Sequence, residues 1–173
     1  MSEEPVSEQA KLARKAVEAC VRREGPPDTG DLPSELTGTR AGAFVCLKKR
    51  GELRGCIGTI KPAHPNLAAE IAENAVSSAI RDPRFPPVTP AELGDLSYSV
   101  DVLEEPEDIP DISHLDPRTY GVIVRSGGRS GLLLPDLEGV DTAEEQVRIA
   151  RMKAGIGPRE PIMLQRFKVT RHE

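Results

Sequence analysis

Leu53-Arg54-Gly55-Cys56-Ile57-Gly58-Thr59 has the apolar and β-branched content of a strand, yet two glycines interrupt it. A strand built only for packing has no use for them. Glycine inside a strand marks a bulge or a place where something must come close to the backbone. Strict alternation turns Leu53, Gly55, Ile57 and Thr59 one way and Arg54, Cys56, Gly58 and Ile60 the other. The second face then carries a guanidinium, a sulfur and bare backbone side by side. That is the composition of a site more than of a core.

The flanking sequence gives this strand its partners. Ala43 to Lys48 is a second strand, and Arg50-Gly51-Glu52 is the turn that joins the two as a hairpin. Pro62 and Pro65 break the chain, and Asn66 caps a helix to Arg81 whose buried stripe is Ala68, Ile71, Ala72, Ala75, Val76 and Ala79. Asn74, Ser78 and Arg81 share one flank of that helix, which fits either the border of a cleft or a plain boundary between core and solvent. An earlier helix runs from residue 8 to 23 behind Ser7. Thr89-Pro90-Ala91-Glu92 opens a short helix with a capping box, and Leu96 to Leu103 is a strand. Residues 104–119 read as an acidic surface loop. Gly121–Arg125 and Gly131–Leu134 form a second hairpin around Ser126-Gly127-Gly128-Arg129. Asp141 and Glu144 box the start of a helix ending at Ala154, and Ile162 to Thr170 is one last strand. No internal repeat is visible.

Hairpins mixed with helices predict an α+β fold, with helices packed on a largely antiparallel or mixed sheet. The expected organisation is one domain over residues 1–173, made of two lobes with a cleft between them. The N- and C-terminal segments share the larger lobe.

The 173-residue chain carries a net charge of −5, spread unevenly. Residues 40–88 sum to +4 and residues 89–117 to −9. A locally basic motif in an acidic chain with no tryptophan fits a small anionic ligand and disfavours nucleic acid. No apolar run is long enough to span a membrane, and the acidic start lacks the marks of a signal peptide, so the expected location is the cytoplasm. Three cysteines without a C-x-x-C pair argue against a disulfide framework and a tetrahedral zinc site. There is no dinucleotide or P-loop fingerprint, and no cofactor is expected.

Arg81-Asp82-Pro83-Arg84-Phe85 places two arginines around a carboxylate in a proline-stiffened loop. One arginine pairs with Asp82 while the other grips an anion, or all three lock a helix exit. Phe85 reads as a core anchor for that loop. Cys56 is either a small buried hydrophobe or, with arginines nearby, a thiolate nucleophile. Cys46 lies on the partner strand and neighbours Cys56 if the register suits.

Taken together, these motifs resemble the AMMECR domain family, also called AmmeMemoRadiSam system protein A in microbes. The matches are Leu53–Thr59, Asn74-Ala75 with Ser78-Ala79, Arg81–Pro87, Gly121–Val124, Gly127–Pro135 and Lys153-Ala154-Gly155. The resemblance implies a two-lobed α+β fold with the motif residues at a cleft. It also implies joint action with Memo-like and radical SAM proteins, in a family whose reaction is not established. Met152 stands where relatives often carry a cysteine.

The resulting expectation is a cleft that binds a small anionic ligand, as an enzyme or as one component of a pathway. Cys56 is the candidate nucleophile. Arg54 and Arg84 grip the anion, Gly55 and Gly58 give close approach, Asp82 orients an arginine, and Thr59, Asn74 and Arg81 complete the ligand-binding set. The alternative is a protein-binding adaptor that uses the acidic stretch from Glu104 to Asp116.

Overall fold

A computed structural model describes residues 3–173. Its α+β architecture comprises two compact units. The first holds the chain up to Leu103 together with Thr170–Glu173, and the second holds Glu104–Val169.

The first unit opens with helix α1 (Glu8–Val21), whose N-terminus is capped by Ser7 accepting from Ala10 N–H. Its stripe of Leu12, Ala13, Ala16 and Val17 is buried. The helix stops two residues short of the expected end, because Arg22 caps it and Arg23 turns to a positive φ before Gly25 is reached. A single turn, α2 (Ser34–Thr37), follows and buries Leu36.

Strands β1 (Ala43–Lys49) and β2 (Glu52–Gly58) form the expected antiparallel hairpin. Its two-residue turn, Arg50-Gly51, has φ of 51° and 84°, the paired left-handed geometry that suits the twist of a hairpin. Helix α3 (Leu67–Ile80) follows, capped by Asn66 accepting from Ala69 N–H. The capping box at Thr89 and Glu92 forms as read, but it opens a 3₁₀ turn over Pro90–Asp95. Strand β3 (Leu96–Leu103) then pairs antiparallel with β1. The sheet order is β2-β1-β3-β8, where β8 is Val169–His172. Helices α1 and α3 cover one face, against Ala43, Val45 and Leu47 of β1 and Val100 of β3. Burial of this cluster drives the unit's folding, at about 25 cal/mol for each Å² of apolar surface removed from water.

The second unit begins with the acidic stretch, which is less irregular than its composition implies. It holds β4 (Glu107–Ile109) and a 3₁₀ turn over Ile112–His114. Strands β5 (Gly121–Ser126) and β6 (Arg129–Leu133) form the second hairpin. Helix α4 (Ala143–Ala154) is capped by Thr142, one residue later than the expected box, and closed by Gly155 at φ 68°. Strand β7 (Met163–Phe167) pairs with β5, and the sheet order is β4-β7-β5-β6. The expected single last strand is therefore two. The backbone at Lys168 interrupts it, β7 stays in the second sheet and β8 joins the first.

Although no sequence repeat is visible, one topology occurs twice. Each unit is hairpin, helix, then a strand that pairs antiparallel with the first strand of the hairpin, with a further strand at the sheet edge.

Candidate functional site

The bulge signalled by the paired glycines sits at Arg54. Leu47 pairs with Gly55 and Lys48 with Leu53, so Arg54 is the extra residue of β2. This corrects the strict alternation. Arg54 does not share a face with Cys56. Its guanidinium turns to Glu92 and is held there at 3.0 Å through Nε and 3.2 Å through Nη2. Lys49 Nζ reaches the same carboxylate at 3.1 Å. Arg54 is buried, and its Nη1 has no hydrogen-bond partner among the described residues. The guanidinium also lies 5.9 Å from the Phe85 ring centroid, and that of Arg84 lies 5.5 Å from it. Phe85 is half-buried, so it is a cation–π platform between two arginines and not the expected core anchor.

Helix α3 and its exit loop clamp β2 through one polar row. Glu70, Asn74, Ser78 and Asp82 recur every four residues. Glu70 accepts from the Thr59 hydroxyl and from the Ala63 and His64 N–H groups. Asn74 Nδ2 donates to Ala43 O at 2.9 Å and to Thr59 Oγ1 at 3.2 Å. The Ser78 hydroxyl accepts from Ile57 N–H at 2.8 Å and lies 2.7 Å from Val45 O. Asp82 accepts from Cys56 N–H at 3.0 Å. Gly55 makes the approach possible, because a Cβ there would overlap the Ser78 carbonyl oxygen. Gly58 is filled by the Phe44 ring and the Ala43 carbonyl.

The two arginines of the loop are both engaged. Arg84 binds Asp82 through Nε at 3.0 Å and Nη2 at 2.7 Å, and Nη2 also donates to Cys56 O at 3.3 Å. The Arg84 guanidinium holds the Asp82 carboxyl down at about 2. Arg54 does the same for Glu92, also to about 2. Arg81 is exposed and turns away, to Glu73 at 2.7 Å and Ser77 at 3.1 Å. The flank of Asn74, Ser78 and Arg81 is thus divided, with the first two buried under the sheet and the third in solvent.

The opposite face of the sheet carries the thiols. Cys56 pairs directly with Cys46, and Cys46 pairs directly with Ser99 on β3. These three side chains form a row across the strands on the face away from α1 and α3. Cys56 N–H points outward to Asp82, so Cys46 and Cys56 occupy a non-hydrogen-bonded pair, the closer of the two antiparallel spacings. Both thiols are free and half-buried. The S–H of Cys56 stabilises a Cys46 thiolate and draws Cys46 down to about 7, with help from Lys48 and Arg171 and against the effect of burial. The same hydrogen bond, together with burial, pushes Cys56 up. Cys46, Lys48, Ser97 and Ser99 open onto a cavity of about 280 Å³, bordered by residues 3–6. The sequence motif marks Cys56, and the strand register sets Cys46 beside it. The signal for Cys46 was its place on the partner strand, which needed a register to become useful.

The AMMECR1 family model matches residues 10–172. The chain belongs to the AMMECR1 family. A Thermotoga maritima relative, named only as a protein, is 58% identical over 144 residues, which is 82% of this chain and 83% of the relative. A Clostridium acetobutylicum relative is 52% identical over 142 residues, 82% of this chain, but those residues span 30% of its length. The crystal structure of the uncharacterised protein PH0010 from Pyrococcus horikoshii superposes with a TM-score of 0.86 at 33% identity, covering 94% of this chain and 88% of that one. These relatives carry no named activity. Among the described residues no helix is long and apolar enough to cross a membrane.

Proposed function

We propose that the first unit is a thiol-dependent catalytic site, with Cys46 as the nucleophile toward a small electrophile held beside it. The supporting observation is that Cys46 stands opposite Cys56 and opens onto the cavity of about 280 Å³, with Lys48, Ser97 and Ser99 around it. In this reading Cys56 steadies the thiolate as a hydrogen-bond donor, which lets a thiolate form near neutral pH. Lys48 is the cation on this cavity, which Glu3, Glu4 and Glu173 also border, so the site suits an electrophile of little net charge; Arg54 and Arg84 are committed to carboxylates. Asp82, Arg84, Asn74, Ser78 and Glu70 hold the strand that presents the thiols. The serine hydroxyls are the groups placed to orient a bound ligand.

Alkylation with iodoacetamide across pH, resolved by cysteine on the native chain, tests this. Cys46 reacts ahead of Cys20 and Cys56, with a midpoint near 7, and Cys56→Ala moves that midpoint upward because the thiolate loses its donor. A Cys46 that stays slower than the thiols of the unfolded chain from neutral to alkaline pH would sink the reading. Joint action with Memo-like and radical SAM proteins belongs to the same proposal through the family resemblance, and co-purification with each protein tests it.

A further inference from the structure

The geometry points to a second step at this site. We infer that Cys46 and Cys56 are a dithiol that closes to a disulfide, so that the site reduces small disulfides by thiol–disulfide exchange. The inference rests on the reading of Cys46 as the reactive thiol and adds a substrate class and a resolving residue to it.

Three observations carry it. First, the two cysteines are directly opposed in the ladder, in a non-hydrogen-bonded pair. Such pairs stand about 4.5 Å apart at Cα, within the roughly 4.4–6.8 Å that a disulfide spans. Second, the pairing is rigidly fixed. The Arg50-Gly51 turn sets the register from one end, and Asp82 and Ser78 pin Cys56 N–H and Ile57 N–H from the other side. Third, the two sulfurs differ in surroundings, although both are half-buried. Cys46 lines the cavity of about 280 Å³, whereas Cys56 lies behind it on the edge strand and does not. A ligand held in that cavity therefore meets Cys46 first.

The exchange balances without another reagent. The Cys46 thiolate attacks one sulfur of a disulfide R–S–S–R′, forms a Cys46–S–S–R bond and releases R′–S⁻, which takes a proton from water. Cys56 then attacks the Cys46 sulfur. The Cys46–Cys56 bond forms and R–S⁻ leaves with the proton that Cys56 gives up. The dithiol is oxidised by two electrons, and one substrate disulfide is reduced to two thiols. A separate dithiol reductant must restore the starting state. The reaction that supplies this site is one that produces low-molecular-weight disulfides.

The probe is hydroxyethyl disulfide, added to the full chain at neutral pH and followed by intact mass and tryptic mapping. The wild-type protein loses the mass of two hydrogens, the Cys46 and Cys56 peptides become linked, and Cys20 remains free. Cys56→Ser stops at a mixed disulfide on Cys46. A wild-type protein that accumulates the mixed disulfide while Cys56 stays alkylatable overturns the dithiol and leaves Cys46 as a nucleophile. A protein in which neither cysteine reacts overturns both readings. The wild-type arm depends on no substitution, so misfolding of a variant does not blur the result.

Discussion

Asp82 is a carboxylate that the fold has made almost inaccessible to protons. It is 4% exposed and accepts from two backbone N–H groups and from the Arg84 guanidinium. Its value falls from an ordinary 3.8 to about 2, chiefly because of Arg84. Glu92 falls from 4.5 to about 2, chiefly because of Arg54. Both folded values lie below the unfolded ones. The stabilisation is therefore complete above the unfolded values and is lost as pH falls through them toward about 2. After allowance for solvent around the half-exposed Arg84, each group contributes about 1–2 kcal/mol. Urea unfolding at a series of pH values checks this. Wild type should lose stability between about pH 5 and 2, and the gap to Asp82→Asn should close over that window. A gap that stays constant with pH would show that Asp82 acts by shape alone.

At the scale of elements, the close crossing of helix over strand recurs in both units. Gly55 lies under the Ser78 carbonyl of α3, and Gly131 lies under the Ala150 carbonyl of α4. A methyl group at either position meets backbone, which has no rotamer to move to. We expect Gly55→Ala and Gly131→Ala each to cost about 2–3 kcal/mol, as overpacked cores do. Gly128→Ala, with nothing within 4 Å of its Cβ, should leave the melting temperature nearly unchanged. A Gly55→Ala protein as stable as wild type would mean that α3 slides off the sheet freely. This crossing also shows where sequence reading reached and where it stopped. The two glycines announced a bulge and a close approach, and both are present. Alternation, however, has no way to locate the bulge, so Arg54 was assigned to the face of Cys56. One extra residue in β2 reverses the faces on its two sides. Glu70 went unnoticed as a polar anchor, because its partners at Thr59, Ala63 and His64 depend on how the chain turns after β2. The Cys46–Cys56 pair was likewise legible only as a condition on register.

For the whole molecule, the chain path is asymmetric: the first unit is built from two separated segments. The chain leaves it at Leu103 and returns at Thr170. The returning segment is short; it pairs with β3, its Glu173 carbonyl accepts from Val6 and Ser7 N–H, and an ion pair adds to these. Arg171 holds Asp101 of β3 through two bonds of 2.8 Å, and the Asp101 side chain is 7% exposed. Removing the arginine leaves a buried carboxylate without that cation, which costs about 2–4 kcal/mol. Each unit also has its own apolar cluster, so the loss should be local. Hydrogen exchange followed by mass spectrometry on Arg171→Ala should show faster exchange in β3 and β1, with β5 and β6 retaining wild-type protection. Unchanged protection in β3 would mean that the Arg171–Asp101 pair adds nothing to the hold of the C-terminal strand on the first sheet. The thiol row gives the experiment a second reading. Cys46 sits between Cys56 and Ser99, so a loosened β3 should also expose Cys46 to alkylation; because Arg171 helps hold the Cys46 thiol down, its loss raises the midpoint as well, and the rates are compared at alkaline pH where Cys46 is ionised in both proteins. A rise in that rate together with the loss of β3 protection would tie the anchoring of the returning strand to the reactivity of the site.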